Sequence, residues 1–131
     1  MSQLWRTRTG PEASFASLEK AIAPTAEILK KARAHHVKIV FGTDAVAGAH
    51  GRNAEEFIYR VRDAGDKPMD AIVSATSTAA ESLGMGAKIG TVAAGFEADL
   101  VGVAGNPLED ITAVRRVVFV MKSGKVLRNV K

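Results

Sequence analysis

Asp44 is the residue whose type and position in the chain best suit chemistry. It follows a short apolar run, Val37, Ile39, Val40 and Phe41, that ends at Gly42, and it precedes a loop holding Gly48, His50 and Gly51. β-Branched residues in so short a run predict a buried strand rather than a helix. A carboxylate just past the carboxyl end of such a strand stands where α/β proteins bind ligands. There it can ligate a divalent cation or take a proton from cation-bound water. The competing reading is a turn aspartate that caps local backbone amides. His50 shares the loop and is open to two readings, a substrate contact or loop-ordering hydrogen bond on one side and an ordinary exposed histidine on the other.

Other polar residues point to structure. Adjacent His35 and His36 project about 100° apart on a continuing helix, so they cannot share one ion and are expected at the surface, near the negative helix end. Gly84-Met85-Gly86-Ala87-Lys88-Ile89-Gly90 follows a helix instead of opening one and lacks the spacing of a phosphate loop, which makes it a connector. Ser74, Thr76, Ser77 and Thr78 lie on a predicted helix with no histidine base in reach, so no nucleophilic serine is expected.

The elements that must position Asp44 follow from periodicity. Residues 1–10 read as an irregular lead-in, with Gly10-Pro11 as punctuation. Glu12 to Ala23 is weakly helical, Pro24 interrupts, and Thr25 to His36 forms an amphipathic helix with Ile28, Leu29 and Ala32 on its apolar face. Asn53 with Glu56 has the form of a helix N-terminal box, and the second helix runs to about Ala64 with Phe57, Ile58 and Val61 inward, stopped by Gly65. Pro68 opens a third helix that continues to Gly84 as a left-handed cap, its face drawn from Ile72, Val73, Ala75, Thr76, Ala79, Ala80 and Leu83. Beyond it, 89–92, 99–103, 117–121 and 125–127 are short β-like runs, Gly105-Asn106-Pro107 is a turn, and Ser123-Gly124 closes a tight hairpin. Residues 1–83 are thus expected to be α/β material and 84–131 a small antiparallel sheet.

Composition narrows the field. With 131 residues, 47% hydrophobic and 24% charged, the chain can build one core, too short for a complete (β/α)₈ barrel of about 250 residues. Eighteen Lys and Arg against fourteen Asp and Glu leave +4, but the basic residues are dispersed and the chain has one Trp and one Tyr, so no nucleic-acid partner is expected. The absence of cysteine excludes disulfides and thiolate metal sites. No secretory leader and no membrane-spanning run are read, and a cytoplasmic location is expected.

Three stretches together resemble the C-terminal part of metal-dependent amidohydrolases, in the imidazolonepropionase-like and Xaa-Pro dipeptidase-like branch. They are FGTDA at 41–45, HGRNAEEF at 50–57 and SATSTAAESLGMGAKIGTVAAGFEADLVGVAGNPLEDI at 74–111, followed by a closing V..V.K.GKV. The resemblance implies a (β/α)₈ TIM-type barrel holding one or two divalent metals, commonly zinc, beside a small β-sandwich. Val37 to Phe41 would be the last barrel strand, and the strands after Gly84 would be the C-terminal share of the sandwich. Asp44 would be both catalytic and metal-touching, taking a proton from attacking water and passing it to the leaving amine, while His50 would contact substrate. The implied reaction is hydrolysis of a carbon–nitrogen bond in a small amide, cyclic amide or dipeptide by metal-bound hydroxide.

The family's His-x-His and its other metal ligands are missing from this sequence. A catalytic zinc needs about three protein ligands, so the chain alone is expected to be inactive. The expected partner is the missing N-terminal barrel portion, or further copies of the chain. The chain is accordingly read as a C-terminal piece of a longer enzyme; the alternatives are half of a split barrel and a noncatalytic binding or assembly module derived from an amidohydrolase.

Overall fold

A computed structural model describes residues 12–44 and 50–130, excepting the side chains of 12–22. The lead-in at 1–10 with its Gly-Pro punctuation, and the loop around Gly48, lie outside the described residues.

Helix α1 spans Glu12–Ala34 without a break. Pro24 sits inside it, so the interruption expected there does not occur: a proline removes one backbone donor and kinks a helix but need not end it. The end comes at His36, whose φ is +54°. His36 N donates to Arg33 O (2.9 Å) and Val37 N to Ala32 O (2.9 Å), the paired bonds that satisfy the last carbonyls when a left-handed residue closes a helix. His35 and His36 are both exposed, as expected.

Residues 37–44 form neither helix nor strand, which corrects the strand expected at Val37–Phe41. The physical reason is that no strand lies beside it among the described residues: a parallel-type strand exists only through ladder bonds to its neighbours. Beyond the bond of Val37 to the helix end, a backbone bond does tie this segment to a later helix, Phe41 N to Ser74 O at 3.1 Å.

Helix α2, Ala54–Arg62, carries Glu55 and Glu56 in its first turn and Arg60 and Arg62 in its last, complementing the helix dipole. Asn53 precedes it, but its side chain makes no capping bond, so the expected box is not built. Gly65, at φ +75°, turns the chain away after the helix. The expected third helix is two: α3, Pro68–Ala75, and α4, Ser77–Ser82. They divide at Thr76, where φ and ψ are −120° and −97° and the hydroxyl donates back to Ile72 O at 2.8 Å. Gly84 closes α4 at φ +70°, with Met85 N donating to Ala80 O at 2.8 Å.

Residues 89–92 form no strand, which corrects the β-like run expected there. The sheet begins later, as β1 Leu100–Val103, β2 Val117–Lys122 and β3 Lys125–Asn129 in the order β1-β2-β3, antiparallel throughout. Ser123 and Gly124, at φ +49° and +75°, make the two-residue turn that matches strand twist. Asp99 locks this hairpin from outside by accepting from Ser123 N at 2.7 Å and pairing with Lys122. Between β1 and β2, a 3₁₀ turn at Ile111–Arg115 is capped by Asp110, which accepts from Thr112 N at 3.0 Å. This turn packs on α2, where Arg115 holds Glu55 through two hydrogen bonds. The architecture of the described residues is therefore α/β with one three-stranded antiparallel sheet.

Candidate active-site segment

Asp44 is exposed and adopts φ +43°. Left-handed backbone is uncommon for residues with a side chain, though aspartate tolerates it better than most. Such outliers gather at ligand-binding positions, where the surrounding structure holds the strain. His50 is exposed in the turn before α2, and residues 45–49 between the two lie outside the described residues. No hydrogen bond among the described residues joins Asp44 to His50, and none of their positions brings together three or more His, Asp or Glu side chains able to hold a cation. A divalent metal is implied by the resemblance, yet Asp44 brings one carboxylate, and one carboxylate does not fit a site needing about three protein ligands. The described residues of this chain do not form that site.

What positions the Asp44 segment is a cluster that periodicity alone did not reveal. The Phe41 ring lies 4.3 Å from that of Phe57, tilted by 31°, an arrangement favourable for two aromatic rings. The guanidinium of Arg60 sits over the Phe41 ring at 5.8 Å, within cation–π range. Arg60 is only 3% exposed, and Asp66 beside it 5%. Arg60 donates from Nε to Asp66 Oδ2 at 2.7 Å and from Nη1 to Ser74 Oγ at 2.7 Å, while Ser74 Oγ donates to Ala71 O at 2.7 Å. Arg33 of α1 reaches the same Asp66 and the carbonyl of Ala64. Every buried polar side-chain atom among the described residues has a partner, the condition under which buried charge is tolerated. One feature in the sequence could have disclosed this cluster: Arg60 lies three residues after Phe57, on the face assigned to apolar contact. Ser74, read as a helix-packing residue, does pack, and it also carries the network.

Glu56, half-buried one turn before Arg60, has its carboxyl pushed above the ordinary range, chiefly by burial; Arg60 pulls it down and Asp66 pushes it up.

The amidohydrolase family profile matches residues 8–127 of this chain. Ochratoxinase of Aspergillus niger is 38% identical over 96 residues, covering 70% of this chain and 20% of its own. Among solved structures, a Xaa-Pro dipeptidase with bound methionine in the active site superposes with a TM-score of 0.76 at 41% identity, over 79% of this chain and 25% of that one. The A. niger ochratoxinase structure gives 0.73 at 30% identity, over 96% of this chain and 30% of that one. A prolidase complexed with N-methylphosphonate-L-proline gives 0.73 at 36% identity, over 79% and 26%. The chain spans about a fifth of the length of the curated relatives it matches.

Proposed function

This chain belongs to the amidohydrolase family, and we propose that it supplies the C-terminal portion of an enzyme that hydrolyses a carbon–nitrogen bond in a small amide or dipeptide. The observation that carries the proposal is the family match across residues 8–127 combined with Asp44 standing exposed in left-handed backbone at the end of an anchored segment. In the completed enzyme, residues 37–41 would join a (β/α)₈ barrel as its last strand, and β1 to β3 would join a small sandwich.

The chemistry assigned to this chain is proton handling. Water adds to the carbonyl carbon, the Asp44 carboxylate accepts the proton that water loses, and the same carboxyl returns it to the amine nitrogen as the carbon–nitrogen bond breaks. His50 is assigned to substrate contact. The divalent ion, zinc by the resemblance, would touch Asp44 but take its other donors from outside this chain, and with one carboxylate against the three or so ligands a catalytic zinc needs, the isolated chain should be inactive. Its partner is the remaining barrel portion, or further copies of the chain.

The test is hydrolysis of N-acyl amino acids and Xaa-Pro dipeptides by the purified chain and by the chain assembled with its barrel portion. Turnover is expected only in the assembly. Asp44→Asn there should lower kcat by about 10²–10⁴ with KM little changed, the span typical of losing a positioned acid–base group. Turnover by the strictly monomeric chain would overturn the proposal. An assembly that binds the amide but does not hydrolyse it would point instead to the noncatalytic module.

A further inference from the structure

We infer that Arg60 is a positioning residue for Asp44, acting through Phe41 and Ser74. Asp44 is exposed and lies only three residues after Phe41, beyond Gly42, which has open space where a side chain would project. The direction in which Asp44 leaves the body of the protein therefore depends on how firmly Phe41 is held.

Phe41 has two anchors: its amide donates to Ser74 O at 3.1 Å, and its ring packs against Phe57 and Arg60. One guanidinium serves both anchors. It covers the Phe41 ring and, through Nη1, binds the hydroxyl of the residue whose carbonyl receives the Phe41 amide. Its planar fork allows this division, with Nε and Nη2 on Asp66 and Nη1 on Ser74; an ammonium on a flexible stem has no such fixed geometry. The other charged groups around it are accounted for. Asp66 balances Arg60, Arg33 of α1 shares Asp66, and Glu56 stands one turn back on α2. A buried ion pair adds little stability over a well-packed apolar pair, so what the charged fork contributes in this inference is geometry. Only the catalytic meaning of this inference rests on the proposed role of Asp44; the geometric claim concerns the backbone of 41–44.

Two variants of the full chain test it, Arg60→Lys and the apolar pair Arg60→Met/Asp66→Leu. Amide exchange at Phe41 is compared with amides inside α3, such as Ala71, which donates to Lys67 O at 3.1 Å. The left-handed conformation of Asp44 is read from its Cα and Cβ chemical shifts and its HN–Hα coupling. The expected result in both variants is unchanged protection of α3, exchange at Phe41 faster by about tenfold or more, and Asp44 signals moving to coil values. Unchanged Phe41 protection and Asp44 signals in either folded variant would overturn the inference. Loss of α3 protection in both variants would also overturn it, since Arg60 would then be a general determinant of folding. Asp44→Asn serves as the control: it should leave Phe41 exchange unchanged, so a failure of the catalytic reading registers in turnover and not in this experiment.

Discussion

Glu56 gives the residue scale its clearest pH signature. Because burial raises its carboxyl above the ordinary value, the folded chain binds that proton more tightly than the unfolded chain does. Between the ordinary glutamate range and the raised folded value, the folded state holds more protons, so stability falls as pH rises through this window. Asp99 and Asp110 act in the opposite sense. Hydrogen bonds, from Lys122 and Ser123 to the first and from Thr112 to the second, hold both carboxyls below the ordinary aspartate range, so their contribution is lost on acidification. Glu56→Gln should remove the first slope and leave the second. Discounting for its half exposure, we expect a melting temperature at neutral pH higher by about 1–3 °C, with the difference vanishing at acid pH. Equal melting curves at both pH values would show that Glu56 is not perturbed.

At the scale of elements, Gly90 explains why the connector after α4 runs where it does. Its φ is +86°, and a Cβ placed there would lie 2.7 Å from Thr76 O and 2.8 Å from Ala80 Cβ. The backbone of the connector thus lies directly against the junction of α3 and α4, the point at which the expected single helix divides. Gly90→Ala should combine left-handed strain with a backbone clash and cost about 2–4 kcal/mol in chemical denaturation. Gly124→Ala in the hairpin turn has open space around it and should cost only about 1 kcal/mol, from conformation alone. Equal losses would mean that the close packing at Gly90 contributes nothing. The hairpin itself was legible because Ser-Gly between two β-like runs specifies its own turn. The division at Thr76 was not, since the connector that lies against it returns from further along the chain.

For the whole molecule, the telling feature is which side chains are inside. The buried hydrophobic residues among those described are Ala26, Ala64, Ala71, Ala80, Ala113, Ile58 and Ile111, five of them alanines. Many large apolar side chains stay outside, with Val92 85% and Leu83 70% exposed, and Ile28, Val101 and Leu127 more than half exposed. The apolar faces expected on the first and third helices are therefore only partly covered, with Ile28 and Leu83 the most open positions, as surfaces that await a partner are. β3, exposed along its whole length, adds a sheet edge open to pairing. No described helix is long and apolar enough to cross a membrane. The isolated chain should associate with increasing concentration, eluting above its 13.8 kDa mass and binding a hydrophobic dye. Val101→Lys/Leu127→Lys should reduce that association while changing stability by no more than about 0.5 kcal/mol per site. A monomeric elution at every concentration, without dye binding, would show that these faces need no partner.

The sequence by itself determined the family, through an ordered series of short motifs, and the sites of helices, turns and hairpin, because capping residues, glycines and periodicity act over a few positions. It also singled out Asp44 and His50 as candidates, whose roles stay proposals. Only the tertiary structure decided that α1 runs through Pro24, that the apolar run at 37–41 forms no strand, and that Arg60, Asp66, Arg33 and Ser74 converge behind Phe41. The reason is the same in each case. A strand needs neighbours, and a buried guanidinium needs acceptors from separate segments; neither the neighbours nor the acceptors can be read from local spacing.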